Sequence, residues 1–447
     1  MPNRTELLDT FMSRVEKTNE AETEFLQAVE DVAADVLTIE KNSPKFTHAR
    51  VLERLTMPDR MITFRIAWED DSGNVQLNTG YRVQMSNAIG PYKGGIRFHP
   101  TVTPSILKFL AFEQVFKNAL TGLPLGGGKG GADFNPSGKS DREIMRFCQA
   151  FMSELSHHIG PDQDVPAGDI NVGTREIGFL FGAYKRSQMQ FNGALTGKGG
   201  SFGGSELRVE ATGYGLIYFL QCMLNEAGQS IEGKRIAISG MGNVALHAAE
   251  KAIAEVGKVI SLSNSSGTLV AKDGYTQDAL DWVRSAKVQG TDLSHGSSEH
   301  GLTYEEGRKP WGLDADIALP CATQNEFDED DAKAAIDAGL SFLAEGANMP
   351  LTSEAAKEID ASEVVYAPGK ASNAGGVAIS GIEMSQNSHR RFLSADDVDD
   401  ALKSIMQSIH DVAATEGREA NVINYRRGAN IAGYRKVASA ISAYGIV

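Results

Sequence analysis

Apolar residues recur at helical spacing near the start of the chain. Phe25, Val29, Val32 and Val36 are three or four positions apart, with charged residues between them. This period places the four side chains on one face of a helix. The first forty or so residues are therefore predicted to be helical, with one buried side.

The following segment alternates apolar and polar residues, as a half-buried strand does. Residues 61–68 alternate and are β-branched, residues 71–74 form a polar turn, and residues 75–78 complete a hairpin. A further strand is predicted over residues 79–85.

Two later helices carry N-terminal signals. Thr103 is followed by proline, which suits an N-cap with proline at the first helical position, and Gly122 ends that helix. Ser140 and Glu143 form a capping box for the next helix.

From about residue 234 the pattern changes to alternating short strands and helices. Strands are predicted at 235–239, 258–263, 315–319, 341–344 and 364–367, with helices at 243–256 and about 428–443. The strands end in polar or glycine-rich sequence, as parallel strands of a doubly wound sheet do at their ligand-binding edge.

Length and composition favour a multidomain protein that handles a small molecule. The 447 residues exceed what one core holds, and a net charge of −15 argues against a nucleic-acid partner. Apolar runs are too short for a membrane span and no signal peptide is recognised, so a cytoplasmic location is expected. Cys148, Cys222 and Cys321 are scattered, so neither disulfides nor a metal site is expected.

Residues 240–245 match a dinucleotide-binding fingerprint between a strand and a helix. Gly240 permits the tight turn, Gly242 lets the backbone approach a pyrophosphate, and Ala245 is small enough for helix–strand packing. A purely structural turn is the less favoured alternative. The end of the next strand, Ser263 to Gly267, lacks the carboxylate of a typical NAD site. NADP is therefore favoured over NAD, although serine and asparagine are also common in turns.

Three lysines lie in or beside glycine-rich sequence in the first half. Lys93 precedes two glycines, Lys117 lies three residues after Gln114 near the end of a helix, and Lys129 lies within the glycines of 126–131. Glycine lets the backbone crowd a small ligand, and cations gathered in this way suit a small dianion. The pattern indicates a dicarboxylate site with one lysine left for chemistry.

Simpler interpretations exist for this segment. A phosphate-binding P-loop is excluded because Leu123 and Gly130 stand where that motif needs glycine and serine or threonine. In isolation, residues 126–131 would be a flexible loop with a solvated lysine. Asp169, in the Pro/Gly turn at 165–170, has an Asx turn or helix cap as its alternative role.

Together these motifs resemble the glutamate dehydrogenases, specifically the short, hexameric, usually NADP-linked type of bacteria and fungi. The resemblance covers essentially the whole chain and rests on residues 90–100, 117–131, 166–170, 240–245, 319–326, 345–348 and 369–376. It departs at Val209, where many relatives have proline, and at Asn171 and Thr174, where they often have glycine.

The resemblance implies a role for each candidate residue. Lys129 would activate the water that attacks an iminium carbon, and Asp169 would transfer protons. The implied substrate-binding residues are Lys93 and Ser380 at the γ-carboxylate, Lys117 and Gln114 at the α-carboxylate, and also Gly168, Arg208, Asn348 and Val377. The implied cofactor-binding residues are Thr212, Gly240, Gly242, Asn243, Val244, Ala322, Thr323, Asn348 and Asn373, with Ser263, Lys287 and His99 at the 2′-phosphate.

The expected fold is α/β with two domains. Residues 1–200 would form a mixed α/β substrate-binding and oligomerisation domain, with a C-terminal helix at 427–447 packing back on it, and residues 201–426 a Rossmann-type, doubly wound NADP-binding domain. The implied function is reversible, NADP-dependent oxidative deamination of L-glutamate to 2-oxoglutarate and ammonium by a homohexamer, in amino-acid metabolism and nitrogen assimilation.

Two alternatives remain open. A branched-chain or aromatic amino-acid dehydrogenase of the same superfamily needs apolar groups where Lys93 and Ser380 stand, because a buried unpaired ammonium disfavours an apolar substrate. A non-catalytic NADP-binding protein would be expected to lose Lys129 or Asp169, and both are present.

Overall fold

The structure is a computed structural model that describes residues 4–291, 293, 294, 296–420 and 422–446. The chain divides into two compact units: the first comprises residues 1–208, 377–398 and 430–447, and the second residues 209–376 and 399–429. The expected ranges had placed residues 377–398 in the second domain. The ends of those ranges, residues 1–3 and 447, lie outside the described residues.

The first unit is built on a mixed five-stranded sheet. Its strands are β1 (Arg60–Glu69), β2 (Val75–Ser86), β3 (Tyr92–Phe98), β4 (Gly127–Ala132) and β5 (Asp164–Gly168), in the order β1-β2-β4-β3-β5. Its helices are α1 (Arg4–Glu16), α2 (Thr23–Asn42), α3 (Pro44–Ala49), α4 (Val51–Leu55), α5 (Pro104–Leu120), α6 (Asp141–Leu155) and α7 (Thr174–Gln188). Strand β3 runs parallel to both β4 and β5, whereas β2 is antiparallel to β1 and β4.

The helix signals of the sequence are confirmed. The four periodic residues of α2 are fully buried, so one face of this helix packs inward. The Thr103 side chain accepts the backbone N–H of Ile106, 3.3 Å away, and Ser140 with Glu143 forms the reciprocal capping box of α6.

One strand prediction needs correction. Residues 75–86 form one strand rather than two, because the backbone stays in register with β1 through Thr79 and Gly80. The glycine-rich segment, for which a flexible loop was the alternative, forms β4, in the middle of the sheet and buried throughout. Glycine is required where β3 meets β4, since a Cβ on Gly94 would lie 1.7 Å from the carbonyl oxygen of Gly128.

The second unit is built on a seven-stranded sheet in the order β12-β11-β10-β6-β7-β8-β9. These strands are β6 (Arg235–Ile238), β7 (Lys258–Asn264), β8 (Gly267–Val270), β9 (Thr303–Glu306), β10 (Ile317–Leu319), β11 (Phe342–Ala344) and β12 (Val365–Ala367). The five strands from β12 to β7 are parallel, as expected. The sequence did not predict β8 and β9, which extend the sheet in antiparallel orientation.

Helices complete the second unit. They are α8 (Ala211–Glu226), α9 (Asn243–Ala254), α10 (Gln277–Gln289), α11 (Glu329–Asp337), α12 (Ser353–Asp360) and α13 (Gly369–Ser372). The residues of α14 (Gly375–His389), α15 (Ala395–Gly417) and α16 (Tyr425–Tyr444) divide between the units, and β13 (Arg418–Glu419) pairs with β14 (Val422–Ile423). Within the described residues, no helix has both the length and the apolar character needed to cross a bilayer.

Candidate active site

A buried lysine and an aspartate lie together in the first unit. Lys129 lies on β4, and Asp169 is the residue that follows β5. Nζ of Lys129 donates to Oδ1 of Asp169, 2.8 Å away. The other oxygen of the same carboxylate accepts from Nε of Arg97, on β3, at 2.7 Å. Asp169 therefore pairs with two cations, and its side chain makes no Asx turn or helix cap.

The electrostatics of this triad follow from its burial. Burial opposes the charge of the Asp169 carboxylate, but the charges of Lys129 and Arg97 outweigh this effect and hold its pKa well below the ordinary value. Burial lowers the pKa of Lys129 below its ordinary value even though Asp169 opposes that shift. Since Lys129 is only 3% exposed, a larger share of its amine is neutral at a given pH than for a solvated lysine.

Lys93 forms a second buried cationic position on β3. Its side chain is 1% exposed and donates to the hydroxyl of Thr196 at 2.7 Å. Burial lowers its pKa well below the ordinary value, and the nearby charge of Arg208 acts in the same direction. Ser380 is also buried, on α14, one turn before Glu383, whose negative charge opposes the shift at Lys93.

Gln114 and Lys117 belong to the same region, on the last two turns of α5. Burial, followed by the charge of Lys129, lowers the pKa of Lys117 to about 8. Gln114 donates to Oδ1 of Asn118 at 2.7 Å, and its side chain approaches Gly94 on β3. The three lysines predicted from the sequence therefore belong to one unit, and Lys117 and Lys129 lie close enough to interact.

Arg208 contributes a further cation whose Nε is enclosed by protein. That nitrogen has no hydrogen-bond partner among the described residues. Burial lowers the pKa of the guanidinium, and the negative charge of Glu383 opposes this. An enclosed donor without a partner is costly, so this nitrogen is available to an anionic ligand.

Several residues of this site were not recognised in the sequence. Beneath the lysines, the fully buried guanidinium of Arg82 binds the carboxylate of Asp164 and donates to the carbonyl of Gly94 at 3.1 Å. Arg97 and Thr196 were also missed. Arg82 lies in the continuously buried end of β2, and its sequence position gives no signal of that burial.

The departures from the glutamate dehydrogenase pattern fit the local backbone. Asn171 has a φ of 59°, a left-handed conformation that glycine and asparagine tolerate best, and its side chain donates to the Phe98 carbonyl at 3.0 Å. Thr174 is the first residue of α7, and Gly168 packs against the carbonyl oxygen of Val172. The carbonyl of Val209 accepts from the side chain of Asn243, 3.1 Å away.

In the second unit, the turn between β6 and α9 suits a dinucleotide. Gly240 has a φ of +84°, and no side chain caps the helix at Gly242, so the first N–H groups of α9 are left for an anion. A Cβ on Gly242 would meet open space, whereas Ala245 is fully buried against its neighbours. These features fit the pyrophosphate of NAD or NADP.

Two residues expected at a 2′-phosphate lie beside this turn. The hydroxyl of Ser263 accepts the N–H of Gly240 at 3.0 Å, and Nζ of Lys287 donates to the carbonyl of Met241 at 2.7 Å. Asn264 takes a turn role, because its side chain accepts the N–H groups of Ser266 and Gly267 at the corner between β7 and β8.

The other expected cofactor residues occupy defined positions. Ala322 and Thr323 donate their N–H groups to Oε1 of Glu326, and Asn373 donates to Oδ1 of Asn348 at 3.0 Å. Thr212 and Val244 lie on the first turns of α8 and α9. His99 contacts Thr101 in the first unit, where Val377 also lies, on α14. In the described part of the chain, no group of three or more His, Cys, Asp or Glu side chains is placed to hold a metal ion.

Two family models match the chain. The dimerisation domain of Glu/Leu/Phe/Val dehydrogenases matches residues 58–186, and the Glutamate/Leucine/Phenylalanine/Valine dehydrogenase model matches residues 203–445.

Individual relatives match over nearly the full length. An NADP-specific glutamate dehydrogenase of Psychrobacter sp. strain TAD1 is 51% identical, with 98% of each chain covered. An NAD-specific glutamate dehydrogenase of Bacteroides fragilis is 52% identical, covering 98% of this chain and all of the relative. The crystal structure of Plasmodium falciparum glutamate dehydrogenase superimposes with a TM-score of 0.96 at 44% identity, covering 99% of this chain and 96% of that chain.

Proposed function

The chain belongs to the Glu/Leu/Phe/Val dehydrogenase family, and we propose that it is an NADP-dependent glutamate dehydrogenase. The reaction is L-glutamate, NADP⁺ and water to 2-oxoglutarate, ammonium, NADPH and a proton, in either direction. The observation that carries this assignment is the collection of Lys93, Lys117, Lys129 and Arg208 in one unit, at positions where burial lowers the pKa of each. Such a cluster is costly without anions, and a dicarboxylate substrate supplies two.

Two positions of the cluster are assigned to binding the two carboxylates of the substrate. Lys93 is assigned to the distal carboxylate, with Ser380 and the free Nε of Arg208 supplying further donors. Lys117 and Gln114 are assigned to the α-carboxylate. Anchors at both ends of a five-carbon chain fix the orientation of Cα, which lowers the entropic part of the barrier. An apolar side chain would place no carboxylate against the buried Lys93 ammonium, which disfavours branched-chain and aromatic substrates.

Lys129 and Asp169 are assigned to proton transfer. In deamination, Asp169 is assigned as the relay that passes on the proton lost by the substrate ammonium group. Loss of that proton frees the nitrogen lone pair, which forms the iminium as hydride leaves Cα. The neutral fraction of Lys129 then takes a proton from the water that attacks the iminium carbon. A lowered lysine pKa serves this step, because an amine at its ordinary pKa is protonated at neutral pH.

NADP is the cofactor in this proposal. When bound, NADP⁺ supplies the acceptor for the hydride that leaves Cα. The turn at Gly240–Gly242 and the N-terminus of α9 would hold its pyrophosphate. Lys287 lies beside that turn, and the adjoining strand end has no carboxylate to repel a 2′-phosphate.

The test is a paired spectrophotometric assay. Oxidation of the reduced cofactor is followed as loss of its nicotinamide absorbance at about 340 nm. The substrates are 2-oxoglutarate and ammonium, and NADPH and NADH are compared in parallel. We expect fast oxidation of NADPH that requires both substrates, with NADH slower. Faster oxidation of NADH would overturn the cofactor assignment. Activity with branched-chain 2-oxo acids but not with 2-oxoglutarate would overturn the substrate assignment.

The assembly is proposed to be a homohexamer. The matched dimerisation-domain model supports self-association through the first unit, and the hexamer follows from the resemblance to the short glutamate dehydrogenases. Light scattering coupled to size-exclusion chromatography distinguishes a hexamer of 48.0 kDa subunits from a dimer. The cytoplasmic location stays a prediction.

A further inference from the structure

Glu383 connects the helix that carries Ser380 to the loop that carries Thr196. Its carboxylate is fully buried and accepts the backbone N–H of Gly197 at 2.9 Å and that of Lys198 at 3.3 Å. The Lys198 ammonium adds an ion pair at 2.7 Å. Thr196 precedes these two residues. Its hydroxyl accepts from Nζ of Lys93, and its backbone N–H donates to the Pro166 carbonyl on β5.

Glu383 is also the negative charge shared by the buried cations around it. Its charge favours the protonated forms of Lys93, Lys198 and Arg208, in each case against the effect of burial. The other charges that act on Lys93 are Arg208 and Arg82, which disfavour its ammonium, and Asp164, which favours it. Asp164 already accepts from Nε and Nη2 of Arg82 and from the side chain of Gln84.

The role of Glu383 is not exhausted by its pairing with Lys198. Lys198 has a second acceptor, the Leu195 carbonyl, and lies 5.7 Å from the centre of the Phe181 ring. The two backbone N–H groups would hold the loop to Glu383 even without the lysine. The Glu383 carboxylate therefore both holds the Thr196 loop in place by hydrogen bonds and supplies a negative charge to the buried cations around it.

We propose that Glu383 is a positioning and specificity-determining residue for the distal carboxylate of the substrate, because it orders the Thr196 loop and supplies a negative charge that favours the ammonium form of Lys93. It does so without touching the substrate. The inference rests on the proposed function, since it assumes that Lys93 receives that carboxylate. It adds a residue to which neither the sequence patterns nor the family resemblance gave a role.

The consequence is a dependence of dicarboxylate recognition on pH. The distal carboxylate binds the ammonium form of Lys93, so its contribution is present at low pH and is lost as the pH rises through the pKa of Lys93 in the free enzyme. Removing the negative charge of Glu383 lowers that pKa further. The loss then begins at lower pH, because a nearby opposite charge favours the charged form and its removal takes that support away.

The experiment measures equilibrium binding by calorimetry without ammonium, so that no turnover is needed. The ratio of the dissociation constants of 2-oxopentanoate and 2-oxoglutarate isolates the distal carboxylate, because effects on the shared 2-oxo acid end cancel. The ratio is measured against pH for the wild-type enzyme, Glu383→Gln and Lys198→Met. The two variants break the same ion pair but remove charges of opposite sign. Thermal unfolding of each variant reports on folding.

We expect the ratio to fall at lower pH in Glu383→Gln than in the wild type, and at the same or higher pH in Lys198→Met. An unchanged midpoint in Glu383→Gln, or equal downward shifts in both variants, would overturn the inference in favour of a purely structural ion pair. If Glu383→Gln does not fold, the test rests on Lys198→Met. A shift of its midpoint to lower pH than in the wild type overturns the inference. A wild-type ratio near one at every pH would instead contradict the proposed dicarboxylate substrate.

Discussion

Replacing Arg97 by methionine is expected to move the pH profile of catalysis. Arg97 and Lys129 bind different oxygens of the Asp169 carboxylate, at 2.7 and 2.8 Å. Unit charges about 5 Å apart, the order of separation expected for cations on the two oxygens of one carboxylate, repel by roughly 3 kcal/mol at an effective dielectric constant of about 20. The side chains of Arg97 and Asp169 are 12% and 16% exposed, so solvent weakens the interaction, and we expect roughly 1.4 kcal/mol of it to act on the protonation of Lys129.

The sign follows from the charge that is removed. Arg97 disfavours the ammonium form of Lys129, so Arg97→Met raises the pKa of Lys129. Less neutral amine is then present below that pKa, and an effect of roughly 1.4 kcal/mol lowers kcat/KM for glutamate deamination about tenfold. The activity returns as the pH is raised.

The assay is the pH dependence of kcat/KM for glutamate, which reports on groups of the free enzyme. Arg97→Lys is the matched control, because it keeps the charge while changing the geometry of the contact. We expect its acid limb to stay near that of the wild type while that of Arg97→Met moves to higher pH. Superimposed limbs for the two variants, or a move of the Arg97→Met limb to lower pH, would refute the electrostatic reasoning.

Two further predictions concern the cofactor and the fold. Lys287→Met should weaken NADPH binding about tenfold or more, the usual loss for a charge-assisted hydrogen bond to phosphate, and should leave NADH binding unchanged. Fluorescence titration measures both affinities, and an equal loss for the two cofactors would show that Lys287 does not bind the 2′-phosphate. Gly94→Ala should lower the free energy of unfolding by more than about 3 kcal/mol, because the new Cβ would overlap the Gly128 carbonyl. Gly182→Ala is the control, because a Cβ at this position on α7 would meet open space, and it should be neutral or stabilise the protein by up to about 1 kcal/mol. Denaturant titration measures the free energy of unfolding of both variants, and similar losses in the two would count against the packing argument.

Local rules were sufficient for the elements that carry strong signals. The capping residues Thr103 and Ser140 act as predicted, because N-caps depend on a few neighbouring backbone groups. The fingerprint at 240–245 also lies between a strand and a helix as predicted. Composition does not reveal β4 as a strand, because glycine is typical of loops but is here required by the close approach of neighbouring strands and side chains.

The partners of the candidate site residues were beyond local reasoning. Lys93 meets Thr196, which lies 103 positions away, and Glu383 meets Gly197, which lies 186 positions away. No periodicity or spacing encodes such contacts, since they arise only when distant segments pack. The sequence and the family resemblance therefore indicated which cations matter, whereas the carboxylates and hydroxyls that control their charge required the structure.

Lys129 is the group that activates water in the proposed mechanism. The most direct measurement compares turnover of Lys129→Met and the wild-type enzyme in both directions, with 2-oxoglutarate and NADPH binding measured separately. We expect kcat to fall by about 10²–10⁴, the usual contribution of a general base, while both ligands bind within a few-fold of wild type. Near-normal turnover in this variant would contradict the proposed mechanism.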